Sequence, residues 1–401
     1  MKLTMKKYLV TALLCGAVLL TSSCGKADSA YKSAVKSMDE GKYEESIESF
    51  KSAIKENPEK AEYYIGYGMV LNYEGKYEEA IKEFEKAVQD VENKISKENN
   101  KKLYYGEAIA YYGLNDYEKT ISLCDDAVKI DHVKELNSDI KLLKAAALQI
   151  SGDDKGAADL YTEIIKDDKK NTEAYLRRGD IYCKTGDYDA AYNDYNDAVK
   201  ADKKCYDAYF GLYRAYKSQG DESSANKALE NIISLDSDDG DVLMQQGKAY
   251  YYMSDYDNAS SKLELAVKKG NQSAVYYQGM IKMGEKDYYG AVDLFKMYLR
   301  DNTSLDIPEV YNQIAGCYIE TGDYKEAQNY INEGLSLGNT SAVQMLRKNQ
   351  VILYEKSGSY KKAAKEAKEY IKSFPADKGM EKELNFIRTR ITAKNNTKKG
   401  N

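Results

Sequence analysis

The chain has 401 residues, with 59 Lys and Arg against 65 Asp and Glu, a single histidine and no tryptophan. Charges of both signs alternate along it, as on solvated helix backs, and a net −6 offers no counterion-release attraction, which argues against nucleic acid as a partner. One histidine (His132) starves a His-rich zinc site, an HExxH helix and a catalytic triad alike, so no metal, cofactor or catalytic residue is assigned.

In chain order, residues 1–23 read as a targeting segment. Lys2, Lys6 and Lys7 form a basic start, and Tyr8 to Leu20 is a 13-residue apolar run. A membrane-spanning helix needs about 20 such residues. The run ends Leu20-Thr21-Ser22-Ser23-Cys24-Gly25, which resembles a bacterial lipoprotein signal. That resemblance implies lipidation of Cys24 and a membrane-anchored, extracytoplasmic protein of the cell envelope. The expected Leu stands four residues before the Cys here, not three, and ordinary secretion with cleavage near Ser22 or Ser23 is the alternative. Loss of residues 1–23 leaves 56 basic against 65 acidic residues, a net −9. Residues 24–29 then form a short tether.

From there a period of about 34 residues governs the chain. Its clearest copy is residues 172–205, where Tyr175, Gly179 and Tyr182 share one helical face, Gly186-Asp187 marks a turn, and Tyr188, Ala191, Tyr195 and Ala198 share the next. The aromatic after the turn recurs at Tyr43, Tyr77, Tyr117, Tyr256, Tyr288, Tyr324 and Tyr360, with Asp154 and Glu222 in the two units that lack it. Three residues on, the slot is always small: Ser46, Ala80, Thr120, Ala157, Ala191, Ala225, Ala259, Ala291, Ala327 and Ala363. Small residues at a fixed place in every unit predict close helix–helix approach. A two-helix hairpin cannot bury its own apolar face, so the units must stack.

Period and residue order resemble the tetratricopeptide repeat (TPR) family over residues 27–377, which implies an all-α, right-handed superhelical solenoid of about ten TPR-like repeats. The units are 27–60, 61–94, 101–134, 138–171, 172–205, 206–239, 240–271, 272–305, 308–339 and 344–377. The family's terminal proline survives only at Pro58 and Pro375, and no unit has its Trp. Tyr213 and Val351 are bulky where a small residue is usual, predicting looser or differently angled joints there. The second unit's last helix is expected to run on past Gln89 to Asn99. Met380, Leu384, Ile387 and Ile391 predict a capping helix over 378–392, followed by a disordered tail, 393–401.

Other apparent motifs reduce to the repeat. Gly66-Tyr67-Gly68 lacks the preceding strand that a dinucleotide fingerprint needs, and Gly68 is a packing position. Asp236 to Asp241 fails the calcium-loop register, with Gln246 where the bidentate Glu belongs. Cys183 and Cys205 lie at opposite ends of one hairpin, about 18 Å apart, too far to bridge. With Cys124 and Cys317 they are expected to be four unpaired thiols.

The family resemblance implies that ligands lie in a concave groove lined by first helices. Carried onto this chain, that face includes Ile65, Met69, Asn72, Tyr73, Tyr105, Ile109, Tyr112, Phe210, Arg214, Lys217, Met244, Lys248, Tyr251, Tyr252, Tyr276, Met280 and Met283. Tyr and Met suit adaptable contact surfaces. The Lys and Asn set with which chaperone-binding relatives grip a C-terminal carboxylate is not presented by any three successive units. The reading is a non-enzymatic protein- or peptide-binding scaffold or assembly factor. Its alternative is a groove-based receptor for a small ligand or glycan.

Overall fold

The computed structural model describes residues 25–89, 95–301, 307–337, 340–375 and 377–397; the leader, Cys24 and residues 398–401 lie outside this set. Within it the fold is all-α: 21 α-helices, one 3-10 turn (Lys134–Leu136) and no strand among the described residues. The chain divides after Asp221, in the turn of the sixth hairpin, and each part is described by itself.

The first part holds α1 (Lys26–Asp39), α2 (Tyr43–Glu56), α3 (Ala61–Tyr73), α4 (Tyr77–Gln89), α5 (Lys97–Gly113), α6 (Tyr117–Lys129), α7 (Asn137–Ile150), α8 (Asp154–Asp167), α9 (Thr172–Thr185), α10 (Tyr188–Ala201) and α11 (Tyr206–Ser218). The second holds α12 (Glu222–Ile233), α13 (Gly240–Tyr252), α14 (Tyr256–Lys268), α15 (Ala274–Gly284), α16 (Tyr288–Asp301), α17 (Pro308–Thr321), α18 (Tyr324–Ser336), α19 (Thr340–Lys356), α20 (Tyr360–Ser373) and α21 (Lys378–Thr397). In both parts a hairpin's second helix packs on the next first helix, and first helices meet across hairpins, as α3 meets α5 and α13 meets α15.

All ten second helices begin at the slot read from sequence, Asp154 and Glu222 included. The cause lies two residues earlier. Each turn carries one left-handed residue there: Gly41, Gly75, Asn115, Gly152, Gly186, Gly220, Ser254, Lys286, Gly322 and Gly358. That conformation ends the first helix and reverses the chain. In five hairpins the next residue is an aspartate whose carboxylate accepts a backbone N–H of the new helix's first turn. Asp116 accepts from Lys119 at 3.0 Å, Asp153 from Gly156 at 2.8 Å, Asp187 from Ala190 at 3.2 Å, Asp255 from Asn258 at 3.2 Å and Asp287 from Gly290 at 3.1 Å. Each such cap contributes about 1 kcal/mol.

The small slot behaves as the period predicts. All ten residues, Ser46 to Ala363, are 0% exposed. The two hydroxyls there donate to first-helix carbonyls, Ser46 to Ala34 at 2.7 Å and Thr120 to Ala108 at 3.4 Å. Large second-helix rings fill the joints between glycines of two successive first helices. Phe84 lies against Gly68 and Gly106, and Tyr195 against Gly179 and Gly211. A Cβ on Gly68 or Gly211 would sit 2.5 Å from a ring carbon. Gly66, beside Phe50, does the same one joint earlier, so the Gly66-Tyr67-Gly68 stretch is two ring seats. Tyr213 and Val351 are both buried.

Two boundaries differ from expectation. The helix expected to run through Gln89 to Asn99 is not continuous: residues 90–94 lie outside the described set, residues 95–96 are not helical, and α5 starts at Lys97, capped by Ser96, whose hydroxyl accepts from the Asn99 N–H at 3.1 Å. The capping helix continues to Thr397, through most of the residues expected to be a disordered tail. Its Met380, Leu384 and Ile387 are buried against Val351, Ala363, Ala367 and Tyr370.

Candidate interaction surface

The first helices have three sides engaged wherever hairpins pack closely, and this decides which groove residues reach solvent. Around α3 burial is nearly circumferential: Ile65, Met69 and Asn72 are 1%, 0% and 4% exposed, and Asn72 Nδ2 donates to the Gly106 carbonyl at 2.8 Å. Tyr105, Ile109, Tyr112 and Phe210 are buried as well. These residues, placed in the groove by sequence, are packing residues. Burial pushes the Tyr112 hydroxyl well above its ordinary pKa, as a phenol sealed from water requires. Tyr73 is half-buried and stacked on Tyr43, ring centroids 5.1 Å apart.

What the first part presents instead is charged. Arg214 is exposed and reaches Asp180 Oδ1 at 3.4 Å, the same atom that accepts from Tyr195 Oη at 2.7 Å. Arg177 bonds Glu173 at 2.8 Å and Lys184 bonds Asp154 at 2.6 Å. Behind this face, Arg178 forms a two-pronged ion pair with Asp194, at 2.8 and 2.6 Å, with side chains 15% and 5% exposed.

The second part presents aromatics. Tyr251 is in ring contact with Tyr252, Tyr256 and Tyr277, with centroids 5.7, 5.9 and 5.7 Å away. Tyr276 continues the chain to Tyr277 at 5.3 Å, Phe295 at 5.7 Å and Tyr298 at 5.6 Å. Tyr252 and Tyr256 are 40% and 48% exposed, whereas Tyr251, Tyr276, Met280, Met283 and Met244 are half-buried. Lys248 lies 6.0 Å from the Tyr277 ring, a cation–π distance. Burial raises the pKa of Tyr251, Tyr276 and Tyr277, so all three stay protonated hydrogen-bond donors at neutral pH. Successive first helices here place large amphipathic rings side by side with their edges in water. Such rings provide contact area at low entropic cost.

Reactive groups are few. Cys124, Cys183, Cys205 and Cys317 are free thiols, and burial raises Cys205 to about 11 and Cys317 to about 12, away from the thiolate form. No group of three His, Cys, Asp or Glu among the described residues is placed to hold a metal ion. His132 is exposed, its carbonyl taken by Lys101. In the Asp236–Asp241 loop, Asp239 caps α13 by accepting from Asp241 and Val242, while Gln246 donates to the Ile233 and Leu235 carbonyls at the end of α12. Two open cavities, of about 370 Å³ beside Glu79, Glu83 and Lys86 and about 450 Å³ beside Lys26, Ser29 and Glu48, are lined by polar outer surfaces and none of the tyrosines above. No described helix is long and apolar enough to cross a membrane.

Sequence-family models described as tetratricopeptide repeat match residues 32–95, 172–205 and 308–337. No curated protein matches the chain. Among solved structures, similarity extends to PilF of Pseudomonas aeruginosa at 14% identity, covering 52% of this chain and 90% of that one, TM-score 0.44. A tetratricopeptide repeat protein from Parabacteroides merdae is 16% identical, covering 68% and 99%, TM-score 0.45. Cut9 in the Cut9–Hcn1 complex is 11% identical, covering 96% and 93%, TM-score 0.46.

Proposed function

We propose that this chain, a tetratricopeptide-repeat protein, is a non-enzymatic scaffold or assembly factor that binds protein or peptide partners on its first-helix face, held at a bacterial cell envelope through lipidated Cys24. The observation that carries the binding reading is the run of tyrosines over α13, the start of α14, and α15. Tyr252 and Tyr256 are 40% and 48% exposed, and the adaptable Met280 and Met283 are half-buried on α15. Peptide-binding surfaces use such amphipathic rings because each buries a large area with few rotors to freeze. Envelope location is supported by the leader's basic start, short apolar run and small residues before Cys24. The extracytoplasmic side follows from that signal.

Two experiments test this. Cells fed labelled palmitate label the protein on Cys24, and Cys24→Ser removes the label; labelling that persists in the variant refutes the anchor. A photo-cross-linking residue at position 252 captures a discrete protein in the native envelope, and Tyr256→Ala with Tyr276→Ala weakens that capture. Capture of glycan or small molecules alone turns the reading to a receptor.

A further inference from the structure

Charge is distributed very unevenly in this chain. Residues 340–401 hold fifteen Lys or Arg against six Asp or Glu, a net +9 inside a protein of net −6. Thirteen of those cations, ten of them lysines, lie on α19, α20 and α21.

On α20 the inward face is Ala363, Ala367 and Tyr370, all buried. The outward face carries Lys361, Lys365, Lys368 and Lys372, all exposed, at i, i+4, i+7 and i+11. They form a row of about 16 Å. The neighbouring α21 exposes Lys382, Arg388 and Arg390, with Phe386 44% exposed among them and the Arg390 guanidinium 4.9 Å from its ring centroid.

The acids of this region are occupied elsewhere. Glu369 pairs with Lys372 at 2.8 Å and Glu381 with Lys378 at 3.7 Å. Asp377 accepts from Tyr370 Oη at 2.7 Å and lies 3.5 Å from Lys348. Glu355, Glu366 and Glu383 are half-buried. Among the described residues no carboxylate is in ion-pair contact with Lys361, Lys365, Lys368 or Lys382.

We propose that the α20–α21 end of the protein is a docking surface for an anionic phospholipid membrane. Lysine's point charge on a flexible stem suits a fluid layer of phosphates, whereas a fixed pattern of protein carboxylates favours the fork of arginine. An exposed aromatic ring amid cations can enter the headgroup region while the ammonium groups stay at its surface. Each such lysine adds about a factor of five in membrane affinity. The contact requires no acyl chain and stands apart from the lipidation of Cys24 and from the tyrosine surface.

The test uses the full chain carrying Cys24→Ser, sedimented with vesicles rich in phosphatidylglycerol and with vesicles of phosphatidylcholine alone, at about 0.1 M salt. Binding to phosphatidylcholine is the baseline set by apolar segments. The anionic vesicles bind at least about 100-fold more tightly, and salt erases the gain. The set Lys361→Gln, Lys365→Gln, Lys368→Gln and Lys372→Gln loses nearly all of it with an unchanged circular dichroism spectrum. Phe386→Ser weakens binding several-fold without altering the salt slope. Equal binding to both vesicles, or wild-type binding by the four-lysine variant, overturns the proposal. So does capture of an acidic protein or a DNA fragment through these lysines without vesicle binding.

Discussion

Arg178 and Asp194 allow a direct test of what holds the hairpin of α9 and α10 together. Two short bonds join them, and Asp194 is 5% exposed, so little water can replace the guanidinium. Arg178 also donates to Thr162 Oγ1 at 2.8 Å, tying α9 to α8. Arg178→Met leaves a buried carboxylate without its partner and costs about 3–5 kcal/mol. Asp194→Leu strands the guanidinium, which is 15% exposed and keeps Thr162, so its cost falls at the lower end of that range. The double variant removes both desolvation penalties and returns to within about 2 kcal/mol of the parent. Urea unfolding followed by circular dichroism supplies the energies. Hydrogen exchange on α9 and α10 localises them, since a repeat array need not unfold all at once. A double variant as unstable as the sum of the singles would falsify the reasoning, because the pair's cost would then lie in lost packing and not in an orphaned charge.

Three further outcomes are expected. Lys101 is 0% exposed and donates to the Ile130 and His132 carbonyls and Asn137 Oδ1, at 3.1, 2.8 and 2.6 Å; Lys101→Met costs about 3 kcal/mol and speeds hydrogen exchange over 130–137. Unchanged exchange there would mean the loop holds without its pin. Ser254 and Lys286 adopt φ of 62°, so Ser254→Gly and Lys286→Gly each raise stability by about 0.5–1 kcal/mol, while Gly186→Ala at φ 84° lowers it by a similar amount. Melting temperatures moving the other way would reject this account of the turns. Burial raises Glu107 from the ordinary 4.5 to about 6, so the folded state holds a proton that the unfolded chain has lost. Stability therefore falls as pH rises from about 4.5 to 6, and Glu107→Gln flattens that segment of the pH–stability curve; an identical curve for the variant excludes Glu107 as its source.

Much of the architecture was legible because the repeat is written in local chemistry. A small residue three places past the turn, with an aromatic at the helix start in eight of the ten units, is enough to locate every second helix. The left-handed residue followed by an aspartate cap is an equally local signal, of which Gly186-Asp187 shows the turn in the sequence and the cap only in the structure. Groove residues were harder to read. Tyr105, Tyr112 and Phe210 share the pattern of Tyr251, Tyr252 and Tyr276, yet the first three are buried and the last three reach the surface to differing degrees. Which ring is covered depends on how near the neighbouring first helix lies, and that distance is set by residues a whole repeat away. The buried Lys101 escaped notice for the same reason, since its acceptors lie 29 to 36 residues downstream.

Averages concealed the charge asymmetry. A net −6 describes no surface on this molecule, because fifteen cations gather in the last sixth of the chain and helical periodicity aligns four of them on one face of α20. By itself the sequence determined the hairpins, their turns and the faces that had to be apolar, all consequences of interactions within a few residues. Tertiary structure alone decided which tyrosines keep an edge in water and which polar groups are sealed in. Burial is a property of neighbours, and stacking brings together side chains a full repeat apart.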